Sequence, residues 1–366
     1  MKKAFFLFIT LCIILLPACS DDEAWNVKHG KEVSKVYREP NLKMTLNGKE
    51  IKGKSALFLS SDLTTADIML FNAIPGEDSL SFTGVKLTDT GKDNIYTFLD
   101  STVNEDRRIY LEGQVGNGLI INVKHEVTSL VAGRWKTALF PFTAKITANP
   151  LDSVDMKGFL NNDVIPIVKG TGTSARQDFV GLLRGLGLTV GLAIKLELEM
   201  KADDNLIVYW GPKISSVPIP EGQLEEGLAR YNVNNGLFYP SVALDDILST
   251  ASISDLISSM DGDFTLDEIL LIFTMGQGIY NGVPIPYAIS GNRNQNLDLI
   301  VTKEMLLPYM ATVVKLLKPL LADLDMGGVN IGGITPEGLT AFVEALGVVI
   351  EKSESFELKI SFTRVS

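Results

Sequence analysis

Cysteine is nearly absent from this 366-residue chain: Cys12 and Cys19 are the only two. Both fall in the first 19 residues, so everything after them lacks a disulfide, a thiol nucleophile and a cysteine metal site. Histidine is as scarce, with only His29 and His125. That excludes zinc sites needing two or more histidines of a folded domain, and leaves one candidate base for any serine–histidine device. No Gly-x-Ser-x-Gly elbow is present to supply its nucleophile. Positive charge is short, with 33 basic against 44 acidic residues. Such a chain does not attract nucleic acid, or an anionic membrane face, through its general electrostatics. No apolar run after residue 16 reaches transmembrane length.

What the chain does have begins at its start. Lys2 and Lys3 precede an almost wholly apolar stretch, Ala4 to Leu16, broken by Thr10. This is the length of a signal-peptide core and too short to cross a bilayer as a helix. It ends in Leu16-Pro17-Ala18-Cys19, which resembles the bacterial lipobox, with Pro17 an unusual residue in it. The resemblance implies removal of residues 1–18 and acylation of Cys19, leaving 31 basic against 44 acidic residues, a net of −13. Two or three acyl chains anchor firmly where one does not. The acidic run Asp21-Asp22-Glu23 resembles the export tag of surface-exposed lipoproteins, which implies an outer-membrane protein facing the exterior.

Residues 19–40 read as a tether. From Asn41 the pattern is β. Leu42, Met44 and Leu46 alternate with polar residues up to Asn47-Gly48, a hairpin signal because both turn positions need φ > 0. Short apolar runs recur every 10 to 15 residues as far as Val127, with turn residues between them. We expect a small antiparallel domain of six or seven strands over 41–127. His125 lies on its last strand, in phase with Leu119, Ile121 and Val123. We expect it to be a half-covered strand-end residue rather than a base.

A larger domain is expected over 128–366. The 13-residue alternation Leu188–Met200 suggests one long strand, and Trp210 lies on the strand that returns along it. Ser174–Gln177 resembles a capping box for a short helix ended by Gly185 or Gly187. Four further helical stretches lie near 244–260, 265–275, 302–324 and after Thr335-Pro336. Asp261, Asp263 and Asp267 suit helix caps better than a calcium loop. Gly133-Arg134-Trp135 is similar to the motif that opens lipocalin and other calycin barrels. There the tryptophan closes the barrel floor and a late arginine packs on it; Arg364 stands two residues from this chain's end.

The fold expected is therefore mainly β with inserted helices (α+β). It has an N-terminal antiparallel domain and a calycin-like β-barrel. The whole layout resembles surface lipoproteins of Bacteroidota-type bacteria, some of which carry calycin-like barrels; that resemblance implies address and architecture, not chemistry. The expected role is binding rather than catalysis, without cofactor or metal. A small apolar or amphipathic molecule would sit in the second domain near Leu192, Ile194, Leu196 and Trp210. The alternative is an accessory lipoprotein that captures glycans or joins a surface-protein complex, motivated by Trp25, Trp210, Tyr231 and Tyr239 as exposed rings. A carboxylate-based hydrolase is a third and weaker reading, since no acid pair is singled out.

Overall fold

The computed structural model describes residues 33–92, 94–157, 159, 164–169, 178–213, 220–242, 276, 278–279, 281–310 and 336–365. Cys19 and Trp25 lie outside them, as do the helical stretches near 244–260 and 265–275, most of 302–324, and the three aspartates at 261–267.

The first sheet has nine strands: β1 (Lys35–Tyr37), β2 (Leu42–Leu46), β3 (Lys49–Glu50), β4 (Ser55–Leu59), β5 (Thr65–Phe71), β6 (Ser79–Asp89), β7 (Tyr96–Val103), β8 (Arg107–Gly116) and β9 (Gly118–Val127). Their order is β1-β4-β5-β6-β7-β8-β9-β2-β3. Asn47 (φ 51°) and Gly48 (φ 80°) form the β2–β3 turn that the sequence signals. The sheet is larger than the six or seven strands expected, and it is not wholly antiparallel. β2 runs parallel to β9, with Met44 opposite Ile121. Sequence alternation does not report that pairing, because a strand's period is the same whichever way its neighbour runs. The inward residues Met44, Leu46, Ile68, Ile109, Leu111, Ile121 and Val123 form one core. Phe58 on β4 meets Phe98 on β7 at 6.1 Å between ring centres. Two strands, β5 and β6, lie between them in the sheet order, so the sheet curls over its own core.

The second sheet also has nine strands: β10 (Gly133–Thr147), β13 (Ile194–Met200), β14 (Leu206–Pro212), β15 (Gly222–Gln223), β16 (Ala229–Asn234), β17 (Leu237–Val242), β18 (Ile285–Ser290), β19 (Asn296–Thr302) and β20 (Ser355–Arg364). Their order is β15-β14-β13-β10-β20-β19-β18-β17-β16. A bridge between Asn205 and Arg230 draws its two edges together at one end. Trp135, Met200, Tyr231, Phe238, Leu297 and Phe362 pack as a core there. The short pair β11 (Ser153–Asp155) and β12 (Val164–Pro166) stands apart. As expected, the last strand returns to pair with the strand that carries Trp135.

Three helices occur among the described residues: α1 (Phe179–Ala193), α2 (Lys303–Leu306) and α3 (Pro336–Lys352). The first corrects the long strand expected at 188–200. Residues through Ala193 are helical and only Ile194–Met200 are extended. Phe179, Leu182, Leu183 and Leu186 recur at helical spacing and pack on the core between α1 and α3. Gly185 and Gly187 do not end this helix. Gly187 lies against Phe142 and Gly191 against Leu139 and Pro141, so the missing side chains let α1 approach β10 closely. Its start is capped by Asp178, whose Oδ1 accepts from the Gly181 amide at 2.6 Å. The capping box at Ser174–Gln177 lies outside the described residues.

Candidate functional site: an open groove and the latch beneath it

Strand alternation on β7, β8 and β9 turns Ile109, Leu111 and Ile121 inward and leaves Leu99, Tyr110, Glu112, Gln114, Ile120, Asn122 and Lys124 on the outer face. Register aligns them into rows. Leu99 faces Glu112, Glu112 faces Asn122, and Asn122 faces Thr45. Thr97, Gln114 and Ile120 make the next row. Two cavities of about 700 and 650 Å³ lie over these rows and share Leu99, Glu112 and Asn122, so they form one groove. Ala202 and Asp203, from the turn between β13 and β14, wall one end.

Several groove side chains are held in place. Thr45 Oγ1 donates to Asn122 Oδ1 at 2.9 Å. Lys124 Nζ stands 5.7 Å from the Tyr110 ring centre. Leu99 is 70% exposed, unusual for a leucine, and offers an apolar contact amid amides and a carboxylate. Sequence reasoning did not single out this face. Its signal was present in the polar phase of β7–β9, but which strands lie side by side decides whether such residues form a site.

Beneath the groove wall the two sheets are joined by buried polar contacts. The Asn47 side chain donates to the carbonyls of His125 (3.0 Å) and Asp203 (2.7 Å) and accepts from the His125 amide (2.9 Å). His125 Nδ1 lies 3.2 Å from Asp204 Oδ2. Arg230 Nη1 donates to both Asp204 oxygens, at 3.0 and 3.3 Å, and its Nη2 to the Leu46 carbonyl at 3.2 Å. Beside this cluster, Arg107 pairs with Glu77 and donates to Asn232 Oδ1 at 3.2 Å. Burial pulls the Arg107 guanidinium down to about 10, and the Tyr239 phenol nearby acts in the opposite sense.

His125 is fully buried, not half-covered as expected. The strand's inward phase continues through it because Asp204, supplied by the second sheet, satisfies Nδ1. Its Nε2 has no hydrogen-bond partner among the described residues, so no hydroxyl there is placed for activation.

The remaining predicted positions scatter. Leu192 does not sit on a strand with Ile194 and Leu196; it is on α1 and 49% exposed. Ile194, Leu196 and Trp210 are half-buried, and Leu196 is the register partner of Trp210. The exposed-ring row is corrected: Tyr231 is buried in the core of the second sheet, and Tyr239 is half-buried at the junction of the sheets. Tyr239 lies against Gly76 of the first sheet. Trp135 is buried and donates from Nε1 to the Val131 carbonyl at 2.8 Å. The Arg364 guanidinium lies 4.4 Å from the Trp135 ring centre. It donates to the carbonyls of Ala132 (3.3 Å) and Leu130 (2.5 Å). Among the described residues no three histidine, cysteine or acidic side chains gather as a metal site.

Fold and groove together define a mainly β protein of two curled sheets with an open polar face. Comparisons with protein-family models, curated proteins and solved structures return no match for this chain.

Proposed function

We propose that this is a lipid-anchored outer-membrane protein, facing the exterior, that captures an extended glycan in the groove over β7–β9 without transforming it. One observation carries the reading: two adjoining open cavities share Leu99, Glu112 and Asn122 on a regular sheet face. Paired carboxylate and amide groups suit vicinal sugar hydroxyls, since each can bond two neighbouring oxygens. Tyr110 and Leu99 offer the apolar contact that a sugar face accepts. An open trough fits a chain that continues past the site, whereas a small apolar ligand calls for an enclosed pocket. The acyl chains on Cys19 would supply the anchor, and an adjacent surface protein would receive the glycan.

The contact of Arg364 with Trp135 supports a calycin-like reading of the second sheet, and the half-buried pair Leu196 and Trp210 keeps a small-molecule site there as a second reading. Titration calorimetry of the purified protein against soluble glucans, mannans and galactans tests the first. Binding that falls at least tenfold in Tyr110→Ala and in Asn122→Ala is the expected result. Binding that ignores both substitutions would sink the groove as the site.

A further inference from the structure

Between Thr137 and Phe142 the pairing of β10 with β20 breaks register, and residues 138–141 bulge from the sheet. The bulge carries Leu139 and Phe140, which are 55% and 45% exposed. Gly191 of α1 abuts Leu139, which brings the exposed Leu192 beside them. The sequence does not require this exposure, because the same strand buries Trp135 and Pro141. Cations flank this region. The Arg184 guanidinium stands 5.8 Å from the Phe140 ring centre. Lys213 Nζ donates to the Gly191 carbonyl at 2.5 Å; burial lowers its ammonium from the ordinary value, the nearby Lys136 charge adds to that and the Glu197 carboxylate opposes it. In a chain with a net charge of −11, this is a local reversal of sign.

We propose that this bulge and the end of α1 are a second membrane contact, seated in an anionic bilayer surface. Apolar side chains enter the headgroup boundary while flanking cations meet lipid phosphates. The net negative charge of the protein argues against attraction over long range. It does not oppose a patch within a Debye length of the lipid. The inference rests on the anchor reading, which would keep the fold near the bilayer. From Cys19 to the first described residue, Val33, the chain spans at most about 45–50 Å. Tethering at that range makes a weak patch sufficient, because the second contact is intramolecular in effect. Docked in this way, the protein would be held by two points rather than swinging on its tether.

The scarcity of cysteine makes the test direct. The lipidated protein is reconstituted in phosphatidylcholine vesicles with and without phosphatidylglycerol. A single cysteine is introduced at Phe140 or Leu192, or as a control at Val103 on the first sheet, and labelled with a polarity-sensitive fluorophore. The expected result is a blue shift for the two patch labels in anionic vesicles and none for the Val103 label. Arg184→Glu with Lys136→Glu should reduce the docked fraction on the order of fivefold per charge. Patch labels that read like the control overturn the proposal, as does a shift that survives charge reversal. Intact mass reports acyl chains on Cys19 separately, so a failed anchor and a failed patch are told apart.

Discussion

Tyr37 and Tyr231 show what burial does to a phenol. Each hydroxyl donates to a carbonyl, Tyr37 to Val33 at 3.1 Å and Tyr231 to Lys201 at 2.7 Å. Burial pushes both phenols above their ordinary value of 10.0, because the phenolate would lose its water; for Tyr231 the carboxylates of Asp204 and Asp203 add to the rise. A raised folded pKa favours the protonated state in the fold. The stability it contributes is therefore complete below the ordinary phenol range and is lost as pH climbs above it. Alkaline titration followed by phenolate absorbance should find these two of the nine tyrosines silent until the protein unfolds. Nine phenols titrating together in the folded protein would contradict the burial. His125 carries a related lesson at this scale. Its inward phase was legible in the sequence, but its carboxylate partner lies 79 residues away on another sheet.

Among the elements, β10 and β20 share a side-chain contact besides their ladder. Gly133 has φ of 141°, and a Cβ there would stand 2.7 Å from Arg364 Nη1. The glycine thus makes room for the guanidinium that covers Trp135. Arg364→Ala removes the cation–π contact and two hydrogen bonds to carbonyls, and should lower stability by about 1.5–3 kcal/mol. Denaturant unfolding followed by tryptophan emission reads the loss, and Arg364→Lys should restore only part of it because it lacks the planar fork. An Arg364→Ala protein as stable as the parent would show that the contact carries no weight. Residues 188–200 teach the reverse about legibility. Leucine, glycine and valine in alternation satisfy a strand's period of two, yet Phe179 to Leu186 satisfy a helix, and the close seat of Gly187 and Gly191 on β10 selects the helix.

At the scale of the molecule, the Asp204 cluster joins the two sheets, and its partners come from both. Asp204→Ala would leave Arg230 charged, buried and without its main partner, a change that typically costs about 3–5 kcal/mol. Because the cluster lies at the junction, the loss should fall on coupling as well as on stability. Calorimetry should show the parent unfolding in one transition and Asp204→Ala in two, at a lower first midpoint. Replacing the charges together, Asp204→Leu with Arg230→Met, should recover much of the loss, since no lone ion then remains. A single unshifted transition in Asp204→Ala would remove the latch from the account. The groove depends on this junction, for Asp203, at its wall, is next to Asp204.

The sequence by itself determined most strands of the first sheet, because alternation against a core has a fixed period and Asn-Gly turns have a fixed chirality. It pointed to the contact of Trp135 with Arg364 through a resemblance, and its two histidines and two cysteines excluded multi-histidine zinc sites and cysteine sites after residue 19. Only the tertiary structure decided which residues became neighbours. The parallel return of β2 to β9 placed Thr45 beside Asn122, and the turn between β13 and β14 set Ala202 and Asp203 as a wall against the outer face of the first sheet. Docking against the second sheet buried His125 against Asp204, and closure of the second sheet's own core buried Tyr231. These outcomes rest on contacts between residues dozens to more than a hundred positions apart, and local periodicity carries no record of such distances.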